Sequence, residues 1–244
     1  MNKPNKVLLV GNGRLAQHLV HWNSLVQVPN LIISYAKNEI PEIEILTADI
    51  IWLAVSDSAI ESVYLEKIKP TLQKAKTSER RSPRVVHFSG ARHFSELCSA
   101  HPLMSFGLEL YKPDVYERIH FAVTGAENLS DLLPGFENSF IHLEPEQKPL
   151  YHALCVLAGN FPQMLWAQTQ REFKALGFPE DAANVYIRQI TENFLHNGAA
   201  AITGPHVRGD TETIEKNLAA LSQLPNLKNI YSAFTENFYK GSVK

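Results

Sequence analysis

The chain has 244 residues, 45% of them hydrophobic and 20% charged, which suits one large domain or two moderate ones and excludes disorder as its ground state. Lys plus Arg number 23 against 25 Asp plus Glu, and the resulting net charge of −2 gives no general attraction to nucleic acid or to an anionic membrane. Cys98 and Cys155 stand far apart with no close-spaced partner, which argues against a zinc site or a disulfide framework, and no apolar stretch reaches spanning length; reduced core thiols and a cytoplasmic location are expected.

The first element is the most informative. Lys6 to Val10 is a run of aliphatic residues ending at Gly11-Asn12-Gly13, after which Leu15, Ala16, Leu19 and Val20 recur at helical spacing. A strand, a glycine turn and a helix in that order suit a phosphate cradle. Gly13 lets the backbone approach a ligand, Ala16 permits close packing of helix on strand, and the first helical N–H groups would face the pyrophosphate of a dinucleotide. Asn30 to Tyr35 reads as the second strand. An NAD-preferring site would carry an acidic residue at its end, whereas Ser34, Tyr35 and Lys37 occupy this region, which favours the 2′-phosphate of NADP over NAD; alternatively Lys37 is a solvated loop lysine.

Asp49 to Val55 is apolar almost throughout, as expected of a central strand covered on both faces. It leads into Ser56-Asp57-Ser58 and a helical pattern through Ile60, Val63, Tyr64 and Ile68, with Asp57 or Ser58 either the helix cap or a ligand group at the strand's carboxyl end. Lys74 to Arg84 is a charged stretch that reads as a solvated loop, and Arg84 to Phe88 is a further strand leading into Ser89-Gly90-Ala91. His101 to Phe106 follows, then strand-like segments at His120–Gly125 and Ser139–Leu143, so six to eight strands are expected. Glu144-Pro145-Glu146 ends the alternation, and a domain boundary is placed near Pro145. Beyond it only helices are predicted: Pro149 to Leu176 with an interruption at Ala158–Pro162, Glu180 to Ile202, Asp210 to Leu224 and Asn226 to Tyr239.

The fold class expected is therefore α/β, a doubly wound sheet over residues 1–145 followed by an all-helical domain over 146–244. No metal-binding pattern, serine-hydrolase elbow or catalytic cysteine signature is present, so the chemistry is expected to come from the bound cofactor. His101 is the candidate proton donor, since its ordinary pKa lies near neutrality; alternatively it is a structural imidazole before a rigid proline. Asn160 lies where Gly159 and Pro162 weaken a helix, either reaching a ligand or marking a kink. In Thr203-Gly204-Pro205-His206-Val207-Arg208-Gly209-Asp210, Arg208 suits a substrate carboxylate, while Asp210 suits a helix cap paired with it.

Six ordered motifs, GNGRLAQHL from Gly11, AVSD from Ala54, HFSGA from His87, HPLMSF from His101, AGN from Ala158 and TGPHVRGD from Thr203, resemble those of an uncharacterised family of Rossmann-like NADP oxidoreductases. That family is related to pyrroline-5-carboxylate reductase and the deazaflavin-dependent NADP reductases. The resemblance implies an N-terminal NADP-binding domain, a helical domain that supports a homodimer, and a cleft between them for a small carbonyl, imine or hydroxy-acid-like substrate. On it, Gly11, Gly13, Arg14 and Leu15 bind the pyrophosphate, with Asn12 in the same turn, Ser56 and Asp57 lie near the nicotinamide ribose, and Ser89, counted with the cofactor site, lines the cleft with His101. Ser34 and Lys37, from the reading of the second strand, complete the cofactor set. His101 and Asn160 are then catalytic, and Thr203 and Arg208 hold substrate. A noncatalytic NAD(P)-binding regulatory protein is the competing reading, because each candidate side chain also has a structural explanation.

Overall fold

The computed structural model describes residues 4–74 and 82–238, which form two compact units, residues 1–162 and 163–244. The first contains seven strands: β1 (Lys6–Val10), β2 (Leu31–Tyr35), β3 (Ile50–Leu53), β4 (Arg84–His87), β5 (Cys98–Pro102), β6 (Phe121–Thr124) and β7 (Phe140–His142). They form one sheet in the order β2-β1-β3-β4-β5-β6-β7. The first five strands run parallel, β6 is antiparallel to β5, and β7 is parallel to β6. The count agrees with the expectation of six to eight. The reversal at β6 is a feature that the sequence pattern does not announce.

Both faces of the sheet are covered, as alternation along β1 shows. Val7 and Leu9 join one apolar cluster with Leu19, Trp22, Trp52 and Phe136, whereas Leu8 and Val10 join another with Ile45, Ile51, Ile60 and Ile68. Helix α1 (Arg14–Leu25) covers the first face. The second is covered by α2 (Glu42–Thr47), α3 (Asp57–Val63), a π-helical turn Tyr64–Ile68 and α4 (Lys69–Lys74). Helix α5 (Pro113–Glu117) adds Tyr116 to the first core. The buried indole N–H of Trp52 donates to the Leu132 carbonyl at 2.9 Å, so this large residue leaves no orphaned donor in the core. Of the basic stretch Lys74 to Arg84, residues 75–81 lie outside the described residues, as does Tyr239.

Beyond the sheet, α6 (Lys148–Cys155) passes through a π-helical turn, Val156–Asn160, into α7 (Phe161–Ala175). The expected interruption at Ala158–Pro162 is thus a local widening rather than a break. Pro162 sits in the first turn of α7, where its missing N–H costs little once the preceding helix has slipped its hydrogen-bond register. The last strand ends before Pro145, the first unit continues to Pro162, and the start of α6 is tied to the ends of β4 and β5 by the buried Lys148, which bonds the Ser89 carbonyl and the Ser99 hydroxyl.

The second unit contains most of α7, with α8 (Ala182–Asn197), α9 (Pro205–Arg208), α10 (Thr211–Ala220) and α11 (Pro225–Phe238). Among its described residues only Ala183 and Ile214 are buried hydrophobics, while Met164, Val185, Tyr186, Phe194 and Leu195 are exposed. Among all described residues, no helix is long and apolar enough to cross a membrane. Cys98 and Cys155 are free thiols, half-buried rather than in the core proper.

Candidate functional site

The sheet changes its winding direction between β1 and β3: the chain leaves β1 to form β2 on one side and returns to form β3 on the other. The crevice at the carboxyl ends of such neighbouring strands is where open α/β sheets bind ligands. Gly11 lies there with φ of 131°, and a Cβ built on it would stand 2.2 Å from the Ala54 carbonyl oxygen at the end of β3. Its N–H donates to the Tyr35 carbonyl at 2.9 Å, and Ala54 donates to the Val10 carbonyl at 2.9 Å. The turn is therefore held by the ends of three strands, and no side chain fits at Gly11.

Gly13 presents the opposite case. It is the N-cap of α1, its backbone is extended, no side chain caps the helix, and a Cβ on it would meet nothing within 4 Å. Protein packing does not require glycine at this position. Open space beside uncapped helical N–H groups is what a phosphate group needs. Asn12 and Arg14 are exposed beside it, and Leu15 packs against the core. Ser34 and Lys37 are exposed at the end of β2, where the next residues turn through a hydrogen bond from Glu39 N–H to the Ala36 carbonyl. A surface groove of mixed character, with Trp22, Leu25, Tyr116 and Phe136 beside Gln27, Glu117 and Glu137, lies at the other end of α1, away from this edge.

The ends of β3, β4 and β5 converge on a polar cluster. Ser56, not Asp57 or Ser58, is the N-cap of α3, and its side chain makes no cap bond; its hydroxyl lies 3.3 Å from that of Ser58. The capping role considered for Asp57 is corrected on that geometry. As the first helical residue, Asp57 directs its Oδ2 to accept the Ser89 hydroxyl at 2.7 Å. Ser89 in turn accepts the Arg92 N–H at its hydroxyl and donates its own N–H to His87 Nδ1 at 3.2 Å. Its carbonyl accepts from Lys148 Nζ at 3.0 Å. Ser89 is buried with every polar group engaged, so it shapes the turn and holds Asp57.

His101, near the end of β5, lies in the same cluster. Its Nδ1 is 2.8 Å from the Tyr151 hydroxyl on α6, and a Cβ on Gly90 would stand 3.0 Å from its Nε2. Burial pulls the His101 pKa down to about 4, with the nearby charges of Lys148 and His152 acting in the same direction. Burial, assisted by proximity to Cys155, pushes the Tyr151 hydroxyl well above its ordinary value. At neutral pH both the tyrosine and the imidazole are therefore neutral, and in the tautomer with the proton on Nε2 the Tyr151 hydroxyl donates to Nδ1 while Nε2–H lies beside Gly90. His87 is neutral for similar reasons, its pKa held at about 3 by burial and then by Lys148, His93 and His101.

Lys148, Tyr151 and Ser99 were not legible as site residues in the sequence. Lys148 carried one signal: a lysine in the first turn of α6 opposes the helix dipole, so another demand must hold it there. That demand is the pair of acceptors that it bridges, the Ser89 carbonyl and the Ser99 hydroxyl at 2.9 Å. Asn160 is exposed on the π-helical turn. In the second unit Thr203 and Arg208 are exposed, and Asp210 caps α10, accepting from the Thr213 N–H at 3.1 Å and its hydroxyl at 2.7 Å. These bonds hold the Asp210 carboxyl below its usual pKa, with a smaller contribution from Arg208. Among the described residues no group of three His, Cys, Asp or Glu side chains is placed to hold a metal ion.

Comparison with known proteins extends the fold assignment. A family model described as a domain of unknown function, DUF2520, matches residues 119–238. Among curated proteins none matches the sequence. A Bacteroides fragilis crystal structure, provisionally described as an NADP oxidoreductase, is similar with a TM-score of 0.74 at 18% identity, over 97% of this chain and 98% of that one. A pyrroline-5-carboxylate reductase from Streptococcus pyogenes gives a TM-score of 0.59 at 14% identity over 97% of each chain. The Plasmodium falciparum pyrroline carboxylate reductase, solved with NADP bound, gives 0.56 at 13% identity, over 97% of this chain and all of the other. Over nearly its whole length the chain thus has the fold of Rossmann-like NADP oxidoreductases and pyrroline-5-carboxylate reductases, with DUF2520 matching its C-terminal half.

Proposed function

We propose that the protein is an NADP-dependent oxidoreductase that moves a hydride to or from a small carbonyl, imine or hydroxy-acid-like substrate. The observation that carries this reading is Gly13: glycine with nothing near its absent side chain, at an uncapped helix start, at the winding switch of the sheet. The residues fit a dinucleotide. Gly11, Asn12, Gly13, Arg14 and Leu15 would receive the pyrophosphate, Ser34 and Lys37 the 2′-phosphate, and Ser56 and Asp57 the nicotinamide ribose. NAD is the alternative cofactor, disfavoured because no carboxylate stands at the end of β2 before Glu39.

When bound, the nicotinamide supplies or accepts the hydride, and the chain's own residues must bind, orient and manage the proton. His101 is assigned to the proton. Its neutral ring, in the tautomer with the proton on Nε2 and with Nδ1 bonded to Tyr151, would hydrogen-bond a carbonyl oxygen that gains negative charge during reduction and relay to it a proton drawn from water, so the ring is neutral before and after the step. Asn160 on its π-helical turn and, in the second unit, Thr203 and Arg208 are assigned to the substrate, with the Arg208 guanidinium suited to a carboxylate. Residues 146–244 are proposed as the substrate and dimerisation domain of a homodimer. The support is the second unit's large exposed apolar surface set against its two buried hydrophobics.

The function is tested by following NADPH oxidation against a panel of small ketones, aldehydes, cyclic imines and keto acids. Turnover of at least one class is expected, with NADPH used in preference to NADH. Binding of NADPH without turnover across the panel would select the regulatory alternative.

A further inference from the structure

A lysine whose residue is 1% exposed is costly unless its charge is matched, and Lys148 lies in that condition beneath the proposed site. Two of its three N–H groups are committed, one to the Ser89 carbonyl just after β4 and one to the Ser99 hydroxyl in β5. In the sheet His87 is the register partner of Ser99, so the ammonium crosses from one strand end to the neighbouring strand. On one side Ser89 hands the connection to Asp57 through its hydroxyl; on the other, His101 stands two residues beyond Ser99. One buried cation therefore connects the part of the edge assigned to the cofactor with the part assigned to the proton.

We propose that Lys148 is a positioning residue: its ammonium ties β4 to β5, holds the Ser89–Asp57 turn, and sets the electrostatic environment of His101 without touching substrate or cofactor. The groups facing it are Asp57 from α3, His87 from β4 and His101 from β5, while Tyr151 and His152 of its own helix face His101. Burial lowers the Lys148 pKa to about 8, opposed by Asp57, so the group is largely charged at neutral pH. Its positive charge is among the causes that keep His101 neutral. A lysine that merely filled space would not do this.

The charge arm of the test reads no activity. Histidine ring NMR titration of full-length Lys148→Met is expected to raise the His101 midpoint by about one pH unit, since a neighbouring like charge has gone. Lys148→Arg, which keeps the charge, is expected to leave that midpoint near the wild-type value. An unchanged His101 midpoint in Lys148→Met would overturn the proposal. Should Lys148→Met not fold, Ser99→Ala removes one acceptor and leaves the lysine in place. The Lys148 side-chain midpoint, read by carbon NMR, is then expected to fall below that of the wild type, and an unchanged value would equally overturn the inference. The role also rests on the reductase reading in one arm: with a turned-over substrate, Lys148→Met is expected to lower kcat about tenfold with a distinctly smaller loss of NADPH affinity, because Asp57 is loosened while the Gly11–Gly13 turn is untouched. Equal losses in both would indicate a general structural role and contradict positioning. Absence of any turnover would count against the oxidoreductase reading alone, since both NMR midpoints are measured without ligand.

Discussion

Gly11→Ala is expected to destabilise the protein by roughly 2–5 kcal/mol, whereas Gly13→Ala leaves stability almost unchanged and weakens NADPH binding at least about tenfold. The two glycines lie two residues apart in one turn, and generic motif logic treats them alike. The structure separates them. At Gly11 a methyl group would overlap the Ala54 carbonyl oxygen at 2.2 Å, with backbone and not a flexible side chain as the obstacle, and φ of 131° is strained for any L side chain. Relief requires β1 and β3 to move apart, which would disturb one apolar cluster through Val10 and Leu53 and the other through Leu9 and Trp52. At Gly13 a methyl group occupies open space, so its cost falls on whatever approaches the helix start. Chemical denaturation and NADPH titration of both variants check this. Wild-type stability in Gly11→Ala, or wild-type NADPH affinity in Gly13→Ala, would contradict the account of the turn.

His101→Ala is expected to reduce kcat by roughly 10²–10⁴-fold on any substrate that the panel identifies, with NADPH affinity little changed. The pH profile sharpens this expectation. An ordinary histidine acting as an imidazolium acid would lose activity as pH rises through about 6.5. With its pKa near 4, His101 is already neutral at mildly acidic pH, so activity that depends on the neutral donor is retained upward from there and lost only as pH falls toward 4. A wild-type profile that instead falls with rising pH near 6.5 would assign the proton to a different group.

Much of the fold is legible in the sequence because its signals are local. Val7 to Val10 and Ile50–Leu53 are uninterrupted apolar runs, and strands covered on both faces have this pattern. Strand β5 is harder to see. Cys98-Ser99-Ala100-His101-Pro102 has little β propensity and is held by its neighbours β4 and β6, so only His101 and Pro102 fell within a segment singled out from sequence. The π-helical turn at Val156–Asn160 reads as a break because Gly159 and Pro162 weaken a helix locally, but the backbone hydrogen bonding continues in a wider register, with the Phe161 N–H donating to the Val156 carbonyl.

The candidate site divides along the same line. The Gly11–Gly13 turn, Asp57 and Ser89 follow recognisable strand ends, whereas His101 lies inside β5, and the structure brings Asp57, Ser89 and His101 together around Lys148. Lys148 and Tyr151 are contributed by a helix about fifty residues later, and periodicity and spacing do not indicate that this helix reaches the ends of β4 and β5. Beyond the unfavourable helix-start position of Lys148, its role shows only in its burial and its bonds to Ser89 and Ser99, which are not properties of the sequence read locally. Ser89 illustrates the converse. Its place in the sequence suggests a ligand group, and what the structure adds is a set of four protein partners through which it holds Asp57.

The central claim is that the turn at Gly11–Gly13 holds a nicotinamide dinucleotide, with NADP preferred. Calorimetric titration of the full-length protein with NADPH and, separately, NADH tests it without knowledge of the substrate. The account predicts saturable NADPH binding at one site per chain, with NADH markedly weaker and the NADPH preference reduced in Lys37→Glu. No binding of either nucleotide at millimolar concentration would contradict it.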